Sequence, residues 1–370
     1  MAFSADDHRF MARALQLAAL GMNTTTPNPR VGCVIVRNGA VIAEGWHEKA
    51  GGPHAEVMAL AKVGAGGTAG ATAYVTLEPC SHHGRTPPCA EALIAAGVAR
   101  VVAAMQDPNP LVAGRGLARL QAAGIETHSG LLENEARELN IGFISRMTRG
   151  RPWVRLKVAT SLDGKTALAN GRSQWITGAD ARRDVHAWRA RSCAMLTGIG
   201  TVRDDNPRLN VRDVQTTRQP LRVVVDSRLE MSPEAAILEG GNCLIAAAIN
   251  QSDKVAQLQA KGAEVICLPN AQGKVDLPAL MLELGRRGIN EVMVEAGLKL
   301  NGSLLREGCV DELLLYQAPL LLGNAARGMA DIGELVELTQ AQRLTVMERR
   351  PVGADFFMRA RLTPSVSGND

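Results

Sequence analysis

Residues 31–45 read VGCVIVRNGAVIAEG and contain two runs of β-forming residues on either side of Asn38-Gly39. An Asn-Gly pair between two such runs is the strongest short signal for a hairpin with a two-residue turn. Upstream, residues 5–20 carry apolar side chains at helical spacing, and Gly21 follows as a stop signal. We therefore predict that the chain opens with a helix followed by a β-hairpin.

Downstream of the hairpin, segments of helical and of β character alternate. The predicted order is a helix from His54, a strand at residues 71–77, a helix from Cys89, a strand at residues 100–105, a helix near residues 116–123 and a short strand from Ile125. Such alternation predicts a central sheet with helices on both faces, which is the α/β fold class.

The alternating pattern breaks around residues 146–152, a basic stretch that contains glycine and proline. We interpret this stretch as a junction and predict two domains, residues 1–149 and residues 150–370. The second part contains several further β-runs with helical segments between them, and its long apolar run, residues 313–322, is predicted to be a buried strand. No internal repeat relates the two parts, so we expect two different folds.

The composition of the 370 residues excludes several classes of protein. The hydrophobic share is 46% and the charged share 21%, which excludes a disordered chain. A net charge of +4 is too small for a protein that coats nucleic acid. No apolar segment approaches the roughly 18 residues of a membrane-spanning helix, and the early acidic residues argue against a signal or transit peptide. The seven cysteines, an odd and scattered set, indicate the cytoplasm and metal-binding or nucleophilic roles rather than disulfides.

Three short motifs in the first half suggest a metal centre: His54-Ala55-Glu56, Pro79-Cys80 and Pro88-Cys89. Imidazole nitrogen and thiolate sulfur are zinc ligands, and a catalytic zinc keeps three protein ligands and one open position for water. Glu56 follows the histidine by two residues, so its carboxylate can reach that water and carry a proton to a leaving ammonia. The order H-x-E then P-C-x-x-C is typical of zinc-dependent nucleobase deaminases, but here eight residues instead of two separate the cysteines.

The longer spacing is itself informative, because residues 78–89, EPCSHHGRTPPC, resemble the signature of the RibD family of bifunctional riboflavin-pathway deaminase/reductases. The segments TPNPRVGCVIV, GWHEKAGGPHAE, SLDGKTA and SQWITG resemble the same family. The resemblance extends from the first helix to about Leu322. It implies a cytidine-deaminase-like three-layer domain followed by a dihydrofolate-reductase-like domain.

The resemblance also implies roles for residues of the first half. The zinc ligands would be His54, Cys80 and Cys89, with Glu56 as the catalytic proton carrier that removes the 2-amino group of a phosphoribosylamino diaminopyrimidinone. The positions that match substrate contacts are Asn28, His47, His82 and Arg85. Turn formation in TPNP is an equally good explanation of Asn28.

Motifs alone say little about the second half, which lacks a G-x-G-x-x-G fingerprint. Gly198 and Gly200 follow a predicted strand, where a plain turn is the commoner explanation. Glu295 and Gly297 end another strand before a helix, whose first N–H groups could approach a phosphate.

The resemblance implies that the second half binds NADPH and reduces the ribosyl group of the deaminated intermediate to a ribityl chain. The positions that match cofactor contacts are Ala159, Trp175, Thr201, Asp205, Ser227, Gly297, Leu298, Lys299, Leu300, Asn301, Gly302 and Ser303. Those that match substrate contacts are Ser173, Arg189, Leu209, Arg212 and Glu295. Arginine suits a phosphate because its guanidinium can donate two parallel hydrogen bonds, although a solvated surface charge is the simpler reading of any one arginine. Trp175 could pack against the cofactor or fill the core, and we favour the cofactor contact.

Two other functions are compatible with parts of the sequence. A nucleic-acid deaminase with an RNA-binding module would need a basic stripe and stacking aromatics, but only 3% of the residues are aromatic. A structural zinc module would be closed by four protein ligands, and no fourth cysteine lies near the three motifs. Both alternatives are therefore weaker, and the resemblance to the RibD family implies a phosphorylated pyrimidine as substrate, no nucleic-acid or membrane partner, and a homo-oligomer.

Overall fold

The computed structural model describes residues 3–64, 66–81, 88–110 and 112–363. The chain divides into two compact units, Met1–Gly150 and Arg151–Asp370. Among the helices of the described residues, none is both long and apolar enough to cross a membrane.

The first unit is a five-stranded sheet with helices on both faces. Its elements are α1 Ala5–Leu20, β1 Gly32–Arg37, β2 Ala40–Trp46, α2 Ala55–Val63, β3 Thr72–Val75, α3 Cys89–Ala95, β4 Arg100–Ala103, α4 Arg115–Ala122, β5 Glu126–Ser129, α5 Glu133–Leu139 and α6 Ile141–Arg149. The strand order is β2-β1-β3-β4-β5, with β1 antiparallel to both neighbours and β3, β4 and β5 parallel.

Alternate side chains of β1 define the three layers of this unit. Val34 and Val36 pack with α1, α5 and α6 on one face of the sheet. Cys33 and Ile35 pack with α2 on the other face, which α3 and α4 continue over the neighbouring strands. The predicted hairpin is confirmed: Asn38 and Gly39 both have positive φ, 53° and 76°, as a two-residue turn of this kind requires.

The second unit contains a nine-stranded, mostly parallel sheet and a separate two-stranded antiparallel sheet. Its elements are β6 Trp153–Thr160, β7 Lys165–Ala167, α7 Ala179–Arg191, β8 Ala194–Gly198, α8 Ile199–Asp205, β9 Leu221–Val225, β10 Cys243–Ala247, α9 Ser252–Ala260, β11 Ala263–Cys267, α10 Leu277–Arg286, β12 Glu291–Val294, α11 Leu298–Arg306, β13 Glu312–Gln317, β14 Arg327–Gly328, β15 Leu344–Val352 and β16 Asp355–Leu362. The strand order is β11-β10-β9-β8-β12-β6-β13-β16-β15, and β15 and β16 form an antiparallel hairpin at one edge. Helices α7 and α9 pack on one face, and α10 and α11 on the other.

Three features differ from the sequence predictions. The apolar run 313–322 is not one buried strand: β13 ends at Gln317, and the Leu321 side chain is 71% exposed. Pro319 has no N–H with which to continue the ladder. The basic stretch 146–152 is partly helical, because α6 continues to Arg149 and ends at Gly150, whose φ is 68°. The hairpin β15–β16 was not predicted.

Candidate functional site

The three motifs of the first unit meet at the amino-terminal ends of two helices. His54 immediately precedes α2, Cys89 is the first residue of α3, and Cys80 lies beyond the end of β3. The Nδ1 atom of His54 lies 3.2 Å from the Cys89 sulfur and 3.6 Å from the Cys80 sulfur. All three ligand atoms lie within 4.8 Å of one another. The structure thus brings together the three residues that the sequence predicts as metal ligands.

The two thiols are unequal, because hydrogen bonds from Cys89 and then from His54 lower the pKa of the Cys80 thiol. The same contact with Cys80 raises the pKa of the Cys89 thiol. The backbone N–H of Cys89 also donates to the Cys80 sulfur over 3.3 Å. Two neighbouring sulfurs hold one proton between them because two adjacent thiolates would repel each other. Both can be deprotonated together only beside a cation. One nitrogen and two sulfurs at this spacing fit zinc, and among the described residues no fourth side chain joins the group, which leaves one tetrahedral position open.

Glu56 places a protonatable carboxyl group beside this cluster. It is the second residue of α2, and its side chain is 3% exposed. Burial raises the pKa of Glu56 to about 7, and the negative charge of Cys80 adds to the effect. A carboxyl group with a pKa near neutrality can both accept and release a proton at physiological pH.

Asn28 and His47 lie next to the cluster. The Nδ1–H group of His47 donates to the Pro53 carbonyl over 2.9 Å, which leaves Nε2 to accept from the Asn28 amide over 3.1 Å. Burial lowers the pKa of His47, which favours this neutral form. The rings of His47 and His54 meet edge to face with their centroids 5.5 Å apart. Asn28 also donates its backbone N–H to Thr25, so the predicted turn and the contact with the site occur together.

His82 and Arg85, which the sequence also predicts as substrate contacts, lie outside the described residues.

Glu78 is a functional residue that the motif analysis missed. Its buried carboxylate accepts four backbone N–H groups, from Asp107, Gly114, Gly116 and Leu117, over 2.8 to 3.2 Å. An added Cβ at Gly116 would lie 1.9 Å from the Pro79 carbonyl oxygen, so the start of α4 packs directly on the peptide before Cys80. The carboxylate and this close approach together fix the position of Cys80.

In the second unit, the predicted cofactor residues other than Trp175 lie at one edge of the sheet. They follow the carboxyl ends of four adjacent parallel strands, β9, β8, β12 and β6, where ligands of parallel α/β sheets commonly bind. The residues are Ser227 after β9, Thr201 and Asp205 in α8 after β8, the segment from Gly297 to Ser303 after β12, and Ala159 within β6. Gly198 and Gly297 therefore precede helices rather than forming plain turns.

Not every member of the segment 297–303 is open to a ligand. Gly297 and Lys299 are exposed. The Asn301 amide is buried and donates to the Met329 carbonyl over 2.8 Å. An added Cβ at Gly302 would lie 1.9 Å from the Asp331 carbonyl oxygen. Only the start of α11 is thus available to an anionic group such as a dinucleotide phosphate.

Glu295, directly after β12, is a largely buried carboxylate that two cations compensate. Arg189 donates to both of its carboxylate oxygens, over 2.6 and 2.9 Å, and the Lys157 ammonium lies 3.7 Å away. Burial alone would raise the pKa of Glu295, but the charges of Arg189 and then Lys157 outweigh it and lower the pKa to about 2. Arg189 is therefore a paired and nearly buried charge, not a solvated surface one.

Arg212 and Leu209 lie on a segment that Arg189 contacts. Arg189 donates to the Asn210 carbonyl over 3.3 Å, and the Arg212 guanidinium donates to the Asn210 side chain over 2.5 Å. Leu209 is buried, whereas Arg212 is exposed and can meet an anion.

The remaining predicted residues, Ser173 and Trp175, lie in the loop before α7. Trp175 is 69% exposed, with the Arg182 guanidinium 4.7 Å from its ring centroid, so it does not fill the core. Asp163 accepts from the Ser161 hydroxyl and from the backbone N–H groups of Leu322 and Gly323. It therefore anchors the loop that follows β13.

Two family descriptions match the chain. Residues 4–105 match the cytidine and deoxycytidylate deaminase zinc-binding region, and residues 152–356 match the RibD C-terminal domain.

Relatives extend this similarity to nearly the whole chain. The riboflavin biosynthesis protein RibD of Escherichia coli is 51% identical over 94% of this chain and 97% of its own, and that of Haemophilus influenzae is 48% identical over 95% and 96%. The solved structure of Acinetobacter baumannii RibD has a TM-score of 0.90 at 44% identity, covering 97% of this chain and 99% of its own. A Thermotoga maritima structure described as a diaminohydroxyphosphoribosylaminopyrimidine deaminase/5-amino-6-(5-phosphoribosylamino)uracil reductase has a TM-score of 0.86 at 34% identity, with the same coverage.

The role of Glu78 predicts a selective effect of Glu78→Gln on metal binding. The amide would turn an N–H group towards two of the four backbone donors, so we expect zinc affinity to fall about ten-fold. Competition with a chromophoric chelator measures this affinity. The matched control is Glu91→Gln. This change removes a carboxylate of α3 that pairs with Arg119 of α4. Equal zinc affinity of the two variants would show that Glu78 does not position the cluster.

Proposed function

We propose a division of labour within a chain that belongs to the RibD family: the first unit deaminates at the His54, Cys80, Cys89 and Glu56 cluster, and the second unit reduces at the edge of its sheet. The protein is a bifunctional, zinc-dependent deaminase and NADPH-dependent reductase of riboflavin biosynthesis. The observation that carries the assignment of sites is the three-ligand cluster with a buried carboxyl group beside it.

In the first unit, we assign zinc binding to the imidazole of His54 and the thiolates of Cys80 and Cys89. Bound there, zinc acts as a Lewis acid that makes water acidic enough to supply hydroxide near pH 7. The Glu56 carboxylate takes a proton from the attacking water and delivers it to the departing nitrogen. The bond from carbon to the amino nitrogen breaks, a carbonyl forms, and ammonia leaves.

The substrate of this step is proposed to be 2,5-diamino-6-(5-phosphoribosylamino)pyrimidin-4(3H)-one, in line with the activity named for the Thermotoga protein. Asn28 and His47 lie beside the cluster and are proposed to orient the pyrimidine ring. His82 and Arg85 complete the proposed set on the resemblance of their motif alone.

In the second unit, we propose that NADPH lies along the carboxyl ends of the four strands and contacts the cofactor residues named above. NADPH bound there would supply hydride to C1′; the bond from C1′ to the ring oxygen would break, the oxygen would take a proton from water, and the ribosyl group would become a ribityl chain. Ser173, Arg189, Leu209, Arg212 and Glu295 are the proposed substrate contacts. Because Arg212 is exposed while Arg189 is paired with Glu295, Arg212 is the proposed partner of the 5′-phosphate.

Two further properties belong to this proposal. The cytoplasm is the proposed compartment, which the seven free cysteines support. A homo-oligomer is the proposed assembly, which is supported by the edge strand β15, where Leu344, Val346 and Met347 are about two-fifths exposed.

Glu56→Gln tests the proton carrier. The amide cannot accept a proton, so ammonia release should fall by at least about a hundred-fold, while zinc content and reduction of the supplied uracil intermediate stay unchanged. Ammonia, zinc and NADPH consumption are measured on the same preparation. Deamination at the wild-type rate would remove Glu56 from the mechanism.

Cys80→Ser and Cys89→Ser test the ligand set. Serine is a far poorer zinc ligand than a thiolate, so each variant should lose bound zinc and deaminase activity. Cys267→Ser is the control, because this exposed cysteine lies in the second unit. Full zinc stoichiometry in either of the first two variants would exclude that cysteine as a ligand.

Arg212→Ala tests recognition of the phosphate. The reductase KM for the phosphorylated intermediate should rise at least about ten-fold, the effect of losing a charge-assisted contact. Arg208→Ala, which removes an exposed arginine paired with Glu239, is the matched control. An equal rise in KM with the dephosphorylated analogue would contradict phosphate recognition by Arg212.

A further inference from the structure

His186 is a buried histidine of the second unit that no motif identified. It lies on α7 one helical turn before Arg189, and its side chain is 6% exposed. Residues three apart on a helix share a face. His186 and Arg189 therefore both contact the segment Asn210–Asp213, which carries the proposed phosphate partner Arg212.

Each nitrogen of the imidazole has a polar neighbour within 3.3 Å. The backbone N–H of Arg212 donates to Nδ1 over 3.3 Å, and the carboxylate of Asp213 lies 3.3 Å from Nε2. Nδ1 can accept only if the proton of a neutral ring is on Nε2, where it points at the carboxylate. Protonation of Nδ1 would replace this acceptor by a second donor, opposed to the Arg212 N–H.

The rest of the segment is held by other side chains. Gln219 exchanges two hydrogen bonds with the backbone of Val211, over 2.8 and 3.0 Å. Arg189 donates to the Asn210 carbonyl and is itself fixed by Glu295. The His186 side chain contacts the backbone of Arg212 directly. It therefore fixes the backbone position from which the Arg212 side chain extends.

We propose that His186 is a positioning residue of the reductase, whose neutral imidazole holds the Arg212 backbone and whose protonation releases it and weakens binding of the phosphorylated substrate. This inference rests on the proposed role of Arg212. His186 itself does not touch the reacting atoms.

The charges around His186 determine at which pH the release occurs. Burial lowers its pKa, the positive charges of Arg189 and Arg212 lower it further, and the carboxylates of Asp213 and Glu295 oppose them. The net result is a pKa below the ordinary value of 6.5. The contact is therefore complete at neutral pH and is lost as the pH falls through that lowered pKa.

The test is the reductase KM for the phosphorylated uracil intermediate and for its dephosphorylated analogue, measured between about pH 5 and pH 8. In the wild type, KM for the phosphorylated compound should rise as the pH falls, with kcat changed much less. His186→Leu should raise that KM about five-fold at neutral pH, the effect of one lost hydrogen bond. His186→Asn, whose Oδ1 can replace Nδ1 as acceptor but cannot be protonated in this range, should restore the low KM and leave only the pH dependence that ionisation of the substrate phosphate itself causes. The dephosphorylated analogue should show neither effect.

His128→Asn is the control, because it removes a histidine of the first unit that is paired with Glu126; it should leave every reductase parameter unchanged. If Arg212→Ala raises KM but His186→Leu does not, or if His186→Asn keeps the wild-type pH dependence, the positioning role is wrong and the phosphate assignment survives. If Arg212→Ala leaves KM unchanged, the phosphate assignment fails and this inference fails with it. Thermal unfolding of each variant shows that folding is retained, and comparison of the wild-type and His186→Asn pH profiles tests the inference even if the leucine variant does not fold.

Discussion

Two cysteine sulfurs and one imidazole nitrogen lie within 4.8 Å of one another in the first unit, and its chemistry depends on this crowding. Without a cation, the sulfurs share a proton, and hydrogen bonds make one thiol more acidic at the expense of the other. A divalent ion stabilises both sulfurs as thiolates, so that neither needs to keep the proton. The surrounding sequence maintains the crowding, with two helix starts that supply His54 and Cys89, and a buried carboxylate, Glu78, that fixes the approach to Cys80.

The second unit also contains a negative charge that is largely removed from water. Positively charged side chains compensate this charge, where the first unit uses a metal ion. The proposed site of the second unit lies at the carboxyl ends of adjacent parallel strands, where Glu295 remains ionised although its side chain is only 13% exposed. Arg189 compensates that charge and also reaches the segment that carries Arg212. One ion pair therefore links the end of a central strand to the proposed phosphate contact, and an adjacent histidine completes the support of that segment.

Local patterns in the sequence predicted the features that depend on neighbouring residues. The Asn38-Gly39 turn, the helices after His54 and Cys89, and the alternation of strands and helices are all of this kind. Long-range partners could not be predicted: the four N–H groups bound by Glu78 come from residues 29 to 39 positions away. The contact between His186 and Arg212 likewise spans 26 positions and has no sequence signature. The hairpin β15–β16 was missed because most of β15 is exposed, so it lacks the apolar alternation of a half-buried strand.

The central claim is that the first unit binds zinc through three protein ligands and keeps the fourth position for water. X-ray absorption at the zinc edge of the purified chain tests it most directly. The account predicts two sulfurs at about 2.3 Å, one imidazole nitrogen at about 2.0 Å and one further light atom that exchanges with solvent. A shell of four protein ligands, or a shell with fewer than two sulfurs, would contradict it.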